Sequence, residues 1–134
     1  MSLRYDTISF LSDYGTTDEF VGVVHSVIHQ LCPGVRIVDI THQVAPYDVR
    51  AGGLTLARSV QYLAPGVVVA VVDPGVGSTR RPIAVEVGDG ASVLVGPDNG
   101  VFSFIYRMET VNRVVHLNVD YYFRQPVSAT FHSA

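Results

Sequence analysis

Cysteine occurs once in this 134-residue chain, as Cys32, which excludes an intramolecular disulfide and fits a reducing, cytoplasmic setting. A small buried hydrophobe near a helix end accounts for it. No apolar run approaches the ~20 residues that a membrane-spanning helix needs, although the mean hydropathy is +0.30. The amino terminus, M-S-L-R-Y-D-T, has neither the basic segment nor the apolar core of a signal peptide. Charged residues are scarce, at 16%, and the net charge is −3 with no basic cluster, so neither nucleic acid nor membrane is an expected partner. Neither Gly-x-Gly-x-x-Gly nor Gly-x-x-x-x-Gly-Lys-Ser/Thr occurs, which leaves a dinucleotide fingerprint and a P-loop without support. The histidines His25, His29, His42, His116 and His132 form no metal-ligand spacing. His25 and His29 stand four apart on one helix face without a third ligand, and read as surface or packing residues. Repeats, linkers and low-complexity tracts are absent too.

What is present is apolar. Hydrophobic residues make up 48% of the chain, enough for one domain, 1–134, around a single core. They gather in short runs rich in β-branched residues, bounded by glycine and proline. The run V-V-V-A-V-V-D at Val67–Asp73 reads as a strand buried on both faces, as parallel or mixed sheets require. Further strands are expected at 7–12, 36–41, 82–87, 92–96 and 111–117, all in one sheet with 67–73 in its interior. Helices are expected at 18–31, capped by Thr17 or Asp18, and at 49–63, capped by Asp48, with a short one near Val101–Met108. Gly52-Gly53 inside the second helix costs ~1 kcal/mol per glycine; close packing on the sheet would explain the pair. Strands alternating with helices predict an α/β three-layer sandwich with a largely parallel sheet.

Polar residues then fall at four strand ends: Asp13, the pair Thr41-His42, Asp73, and Asp98-Asn99. In a parallel sheet the carboxyl ends share one edge, where open α/β sheets place ligands. Each acid alone reads more readily as a turn former. Together they suit a ligand with vicinal hydroxyls, since one carboxylate accepts two charge-assisted hydrogen bonds from a ribose.

Five blocks, L-S-D-Y-G (Leu11–Gly15), D-I-T-H (Asp39–His42), V-V-D-P-G-V-G (Val71–Gly77, followed by Arg80-Arg81), P-D-N-G (Pro97–Gly100) and S-A-T-F-H (Ser128–His132), resemble the S-adenosyl-L-methionine hydroxide adenosyltransferases. These are relatives of the enzymes that make adenosyl fluoride and chloride. The resemblance runs along essentially the whole chain. It implies the N-terminal α/β domain of that family and hydrolysis of S-adenosyl-L-methionine to adenosine and L-methionine, by water attack at the ribose C5′. It implies Asp73, Arg80 and His132 as the catalytic group around the water. Asp13 corresponds to the ligand of the ribose hydroxyls, Asp18 to a ligand of the methionine amino group, and Tyr47 and Asn99 to further substrate-binding positions. No cofactor and no metal are expected, S-adenosyl-L-methionine being the substrate. Halide-using relatives carry Tyr where Asp73 stands and lack the arginine, so Asp73 with Arg80 favours water over halide.

Members of the family usually continue beyond that histidine into a β-rich C-terminal domain and assemble as trimers. The expectation for this chain is therefore a truncated, homo-oligomeric (trimeric) N-terminal domain with little or no turnover alone. The alternative from another class is a non-catalytic remnant that binds a nucleoside or associates with itself; an adenosyl-halide synthase is the lesser enzymatic alternative.

Overall fold

A computed structural model of the chain describes residues 4–74 and 81–118. Six strands, β1 (Thr7–Ser12), β2 (Arg36–Thr41), β3 (Val67–Val71), β4 (Pro82–Val87), β5 (Ser92–Pro97) and β6 (Val111–His116), form one sheet. The order is β2-β1-β3-β5-β4-β6. β2, β1, β3 and β5 run parallel, while β4 pairs antiparallel with both β5 and β6. The expected α/β architecture is thus observed, with β3 inside the sheet. Helices α1 (Phe20–Leu31) and α2 (Val49–Val60) make the two crossovers.

The two faces of the sheet are unequal. In-register neighbours point the same way, and the residues on the face of Leu11, namely Ala70, Val68, Leu94 and Val85, are all buried with Leu56 and Ala57 of α2. Val101, Phe102 and Ile105, in the segment after β5, close the same cluster. The opposite face carries Phe10, whose ring meets His25 of α1, and half-buried Val67, Val69, Val93 and Val95. α1 is apolar along its length, F-V-G-V-V-H-S-V-I-H-Q-L, yet has no buried residue.

The glycine pair of α2 has the explanation its sequence invited. A Cβ at Gly52 would stand 2.9 Å from Val72 Cγ2, and one at Gly53 2.9 Å from the carbonyl oxygen of Val101. α2 can lie this close to the strand end and to the loop after β5 only without side chains there. Asp48 caps α2 as expected, accepting from the Ala51 N–H at 2.9 Å. α1 differs from expectation. It begins at Phe20, because Asp18 Oδ1 accepts from the Phe20 N–H, two residues on, which makes a local turn rather than a helix cap. α2 closes early, its last carbonyls taken by the tighter bonds Tyr62 N–Ser59 O and Leu63 N–Val60 O. After β5 the chain forms turns and a single 3-10 turn at Ile105–Arg107, not a full α-helix.

Candidate functional site at the carboxyl edge of the sheet

The strand order turns back on itself at β1, whose two neighbours are β2 on one side and β3 on the other. Chain connections leave this point in opposite directions, so the loops after β1 and β3 diverge and open a crevice. Open parallel sheets bind ligands at such a point. Asp13 follows β1 directly and Asp73 lies two residues beyond β3. The backbone joins the two ends, with the Asp13 N–H donating to Val71 O at 3.3 Å.

Tyr14 reports that both carboxylates lie close by. Burial pushes its phenol up, and the charges of Asp13 and then Asp73 push it further, to about 12. Its ring stacks edge-on against Phe10 and Phe20, at centroid distances of 6.4 and 5.8 Å. Tyr14 was not among the expected site residues, although it stands within the L-S-D-Y-G block beside Asp13. An aromatic next to a turn carboxylate carries no sequence signal that separates packing from binding.

Asp13 is half-buried and Asp73 only 6% exposed. Asp13 Oδ2 accepts the backbone N–H of Tyr47 at 2.7 Å. That bond ties the loop after β1 to the loop after β2 and brings the Tyr47 backbone to Asp13. Tyr47 itself has φ 63°, left-handed backbone that a side-chain-bearing residue seldom adopts, and its side chain is exposed. Asn99 comes to the same edge, but its amide is engaged with the backbone. Nδ2 donates to Val72 O at 2.9 Å and Oδ1 accepts from the Val101 N–H at 3.1 Å. Asn99 therefore carries the end of β3, where the ladder to β5 has stopped, and secures the approach to Asp73. Asp18 is exposed on the rim and holds the Phe20 N–H. Arg81, just before β4, reaches the same edge through the bond from the Asp98 N–H to its carbonyl, at 2.7 Å. Arg80 and His132 lie outside the described residues.

His42 contributes in a way the sequence did not suggest. It is 5% exposed and bonded through both ring nitrogens: Nδ1 to Ser12 Oγ at 2.6 Å and Nε2 to Asp39 Oδ1 at 2.7 Å. His25 Nε2 meets the same Asp39 oxygen at 3.0 Å. Burial works to raise the Asp39 carboxyl, but the bonds and charges of the two histidines outweigh it and hold the group below its ordinary range.

Among the described residues no group of three His, Cys, Asp or Glu side chains is arranged to hold a metal ion, and no helix is long and apolar enough to cross a membrane. A shallow polar depression of about 470 Å³ opens at the opposite end of the strands, bordered by Arg4, Asp6, Arg36 and Pro65. It lies at the amino ends of β1 and β2, away from both carboxylates. The carboxyl edge, with its convergent acids, is the better site.

A family model described as the SAM hydroxide adenosyltransferase N-terminal domain matches residues 8–134. The chain is 48% identical over 126 residues to a protein of Salinispora tropica named (R)-S-adenosyl-L-methionine hydrolase, a match covering 93% of this chain and 48% of that one. A protein of Actinoplanes sp. named fluorinase is 27% identical over 120 residues, covering 73% and 40%. Among solved structures, an uncharacterized conserved protein of Thermotoga maritima superposes with a TM-score of 0.88 at 35% identity, covering 93% of this chain and 48% of that one. The chain thus spans about half the length of the curated relatives it matches.

Proposed function

We propose a function from one premise: this chain belongs to the SAM hydroxide adenosyltransferase family, whose N-terminal domain it matches over residues 8–134. The reaction is hydrolysis of S-adenosyl-L-methionine to adenosine and L-methionine. Water oxygen bonds to the ribose C5′ as the C5′–S bond breaks, the electron pair stays on sulfur as a neutral thioether, and the water gives up a proton. A sulfonium leaves readily, so no acid is required at sulfur. The work that remains is to hold water in line with the C5′–S bond and to stabilise its oxygen as charge builds there. In this reading Arg80 stabilises the developing hydroxide, His132 positions the water and Asp73 orients Arg80 or the ribose. Asp13 accepts the ribose hydroxyls, Asp18 faces the methionine amino group, and Tyr47 and Asn99 border the substrate.

One observation carries the reading. Asp13 and Asp73 stand at the carboxyl ends of adjacent parallel strands where the strand order reverses, and the charges of both act on Tyr14. That suits a ligand whose diol is held at one carboxylate and whose reacting carbon lies at the other. Water rather than halide is favoured by Asp73 itself, and by the 48% identity to a named hydrolase against 27% to a named fluorinase. Self-association belongs to the proposal as well. Val23 and Leu31 of α1 are 42% and 75% exposed, apolar surface that further copies of the chain, in a trimer, would cover.

The test is chromatography of the full-length protein incubated with S-adenosyl-L-methionine. Adenosine should form, and Arg80→Ala should cut the rate by about 10²–10³ while leaving adenosine affinity nearly intact. Wild-type protein that forms no adenosine overturns the assignment.

A further inference from the structure

Asp13 sits between two residues that are each pinned. On one side Ser12 is fully buried; on the other, the Tyr14 N–H donates to Ser12 Oγ at 3.2 Å. The hydrogen bonds beyond form a chain with one direction. Tyr14 N–H donates to Ser12 Oγ, the Ser12 hydroxyl donates to His42 Nδ1, and His42 Nε2–H donates to the Asp39 carboxylate. Every donor and acceptor in it is used once this ring tautomer is adopted. His25 completes the Asp39 end, and the Phe10 ring lies edge-on against His42 at 4.7 Å, closing the imidazole off.

Serine, histidine and aspartate in hydrogen-bonded sequence suggest a nucleophile, but the geometry points elsewhere. Ser12 is 0% exposed and its oxygen already accepts a backbone N–H, so no carbonyl can reach it. The order on the ring is also inverted relative to hydrolytic triads, with serine on Nδ1 and aspartate on Nε2. What the chain does is lace two loops. The His42 carbonyl accepts from the Gly15 N–H at 2.7 Å, Gln43 Nε2 donates to Thr16 Oγ1 at 3.0 Å, and the Tyr47 N–H reaches Asp13. Tyr47 keeps its left-handed backbone where these bonds over-determine it.

We propose that Ser12 and His42 are positioning residues for the ribose: the Asp39–His42–Ser12 chain, buried at His42 and Ser12 and anchored at the exposed Asp39, fixes the orientation in which Asp13 accepts the ribose hydroxyls, without touching substrate itself. This rests on the reading of Asp13 as ribose ligand. Of the two bonds made by His42, the one to Ser12 acts on Asp13, while the one to Asp39 anchors the ring.

Asparagine and glutamine separate the two bonds, because an asparagine amide falls where Nδ1 stands and a glutamine amide where Nε2 stands. In the full-length protein, with adenosine as probe, Ser12→Ala and His42→Gln should weaken binding about tenfold, whereas His42→Asn should stay within about threefold. KM for S-adenosyl-L-methionine should rise in the same order with kcat nearly constant, as expected for binding shared by ground and transition state. Hydrogen exchange of the Tyr47 amide, which a general loss of stability would not single out, should accelerate in Ser12→Ala and His42→Gln and not in His42→Asn. Equal affinities for Asn and Gln at 42, or an unchanged Tyr47 amide in Ser12→Ala, overturn the inference. Asp13→Ala is the reference. If it loses adenosine while Ser12→Ala and His42→Gln do not, the positioning role falls and the ribose reading stands. If Asp13→Ala binds adenosine like wild type, the ribose reading falls and takes the inference with it.

Discussion

Replacing Gly53 with alanine sets two physical effects of known size against each other. In a helix interior alanine is favoured over glycine by about 1 kcal/mol, because glycine loses more backbone freedom on folding. At Gly53 the new Cβ would meet the Val101 carbonyl oxygen at 2.9 Å and Phe104 Cδ2 at 3.3 Å. The first contact is backbone, held by Asn99 through the Val101 N–H, and it cannot turn aside as a side chain can. Overpacking a filled interior costs about 1–3 kcal/mol, and a backbone contact belongs at the upper end of that range, so the clash should win by up to about 2 kcal/mol and lower stability. Gly52 differs in kind. Its Cβ would meet Val72 Cγ2, also at 2.9 Å, a methyl of a fully buried valine rather than backbone, so Gly52→Ala should also lower stability, but by less than Gly53→Ala. Gly22 in α1 is the control: nothing lies within 4 Å of its Cβ position, and Gly22→Ala should gain up to about 1 kcal/mol. Urea unfolding followed by circular dichroism reads all three. The reasoning fails if Gly53→Ala is as stable as wild type, or if Gly22→Ala is no more stable than Gly53→Ala.

Three further outcomes are expected. Tyr14 should ionise near 12, so the native state holds its phenolic proton while the unfolded chain releases it from about 10; stability should fall as pH rises between these values, and Tyr14→Phe should reduce that loss, leaving the smaller part that the raised Tyr106 phenol contributes. A tyrosinate absorbance titration in which Tyr14→Phe removes no late component would contradict this. Asp39, held low by its histidines, contributes stability that is present above the carboxylate's unfolded value and lost as pH falls through the folded one; Asp39→Asn should therefore flatten the decline in urea midpoint between about pH 5 and 3. Light scattering should report a trimer that Leu31→Glu, at the most exposed large apolar residue of α1, dissociates; a clean monomer for wild type at micromolar concentration counts against the assembly.

The sheet was legible because its strands announce themselves as β-branched runs between glycine and proline, and those of β1, β3, β4 and β5 bury in register. Helix ends were less so, since they turn on which carbonyl or carboxylate takes a given N–H: Asp18 serving Phe20, or Ser59 and Val60 serving Tyr62 and Leu63. β3 leaves the ladder at Val71, one residue before its apolar run ends, because the Asn99 side chain takes over the Val72 carbonyl. No pattern along the chain foretells such a long-range substitution. The strand-end acids were visible as types; their convergence needed the strand directions. His42 was counted as one more polar strand end, and its two partners are 30 and 3 residues away, one of them a serine inside a strand.

This explains why the site divides its labour as it does. A carboxylate at a switch point has a fixed Cα but a free side chain, and a ribose bound through two hydroxyls requires the side chain fixed as well. Burying Asp13 would fix it at a desolvation cost that weakens it as an acceptor for a ligand. The structure leaves Asp13 half-buried, spends one of its oxygens on the Tyr47 N–H, and places the buried polar machinery one residue away, in Ser12 and His42. There every polar atom has a partner inside the protein, and burial can rigidify without competing with substrate. Asn99 follows the same logic at β3, both amide atoms given to backbone beside Asp73. On the proposed reading, the residues around the two acids act through where they hold the acids.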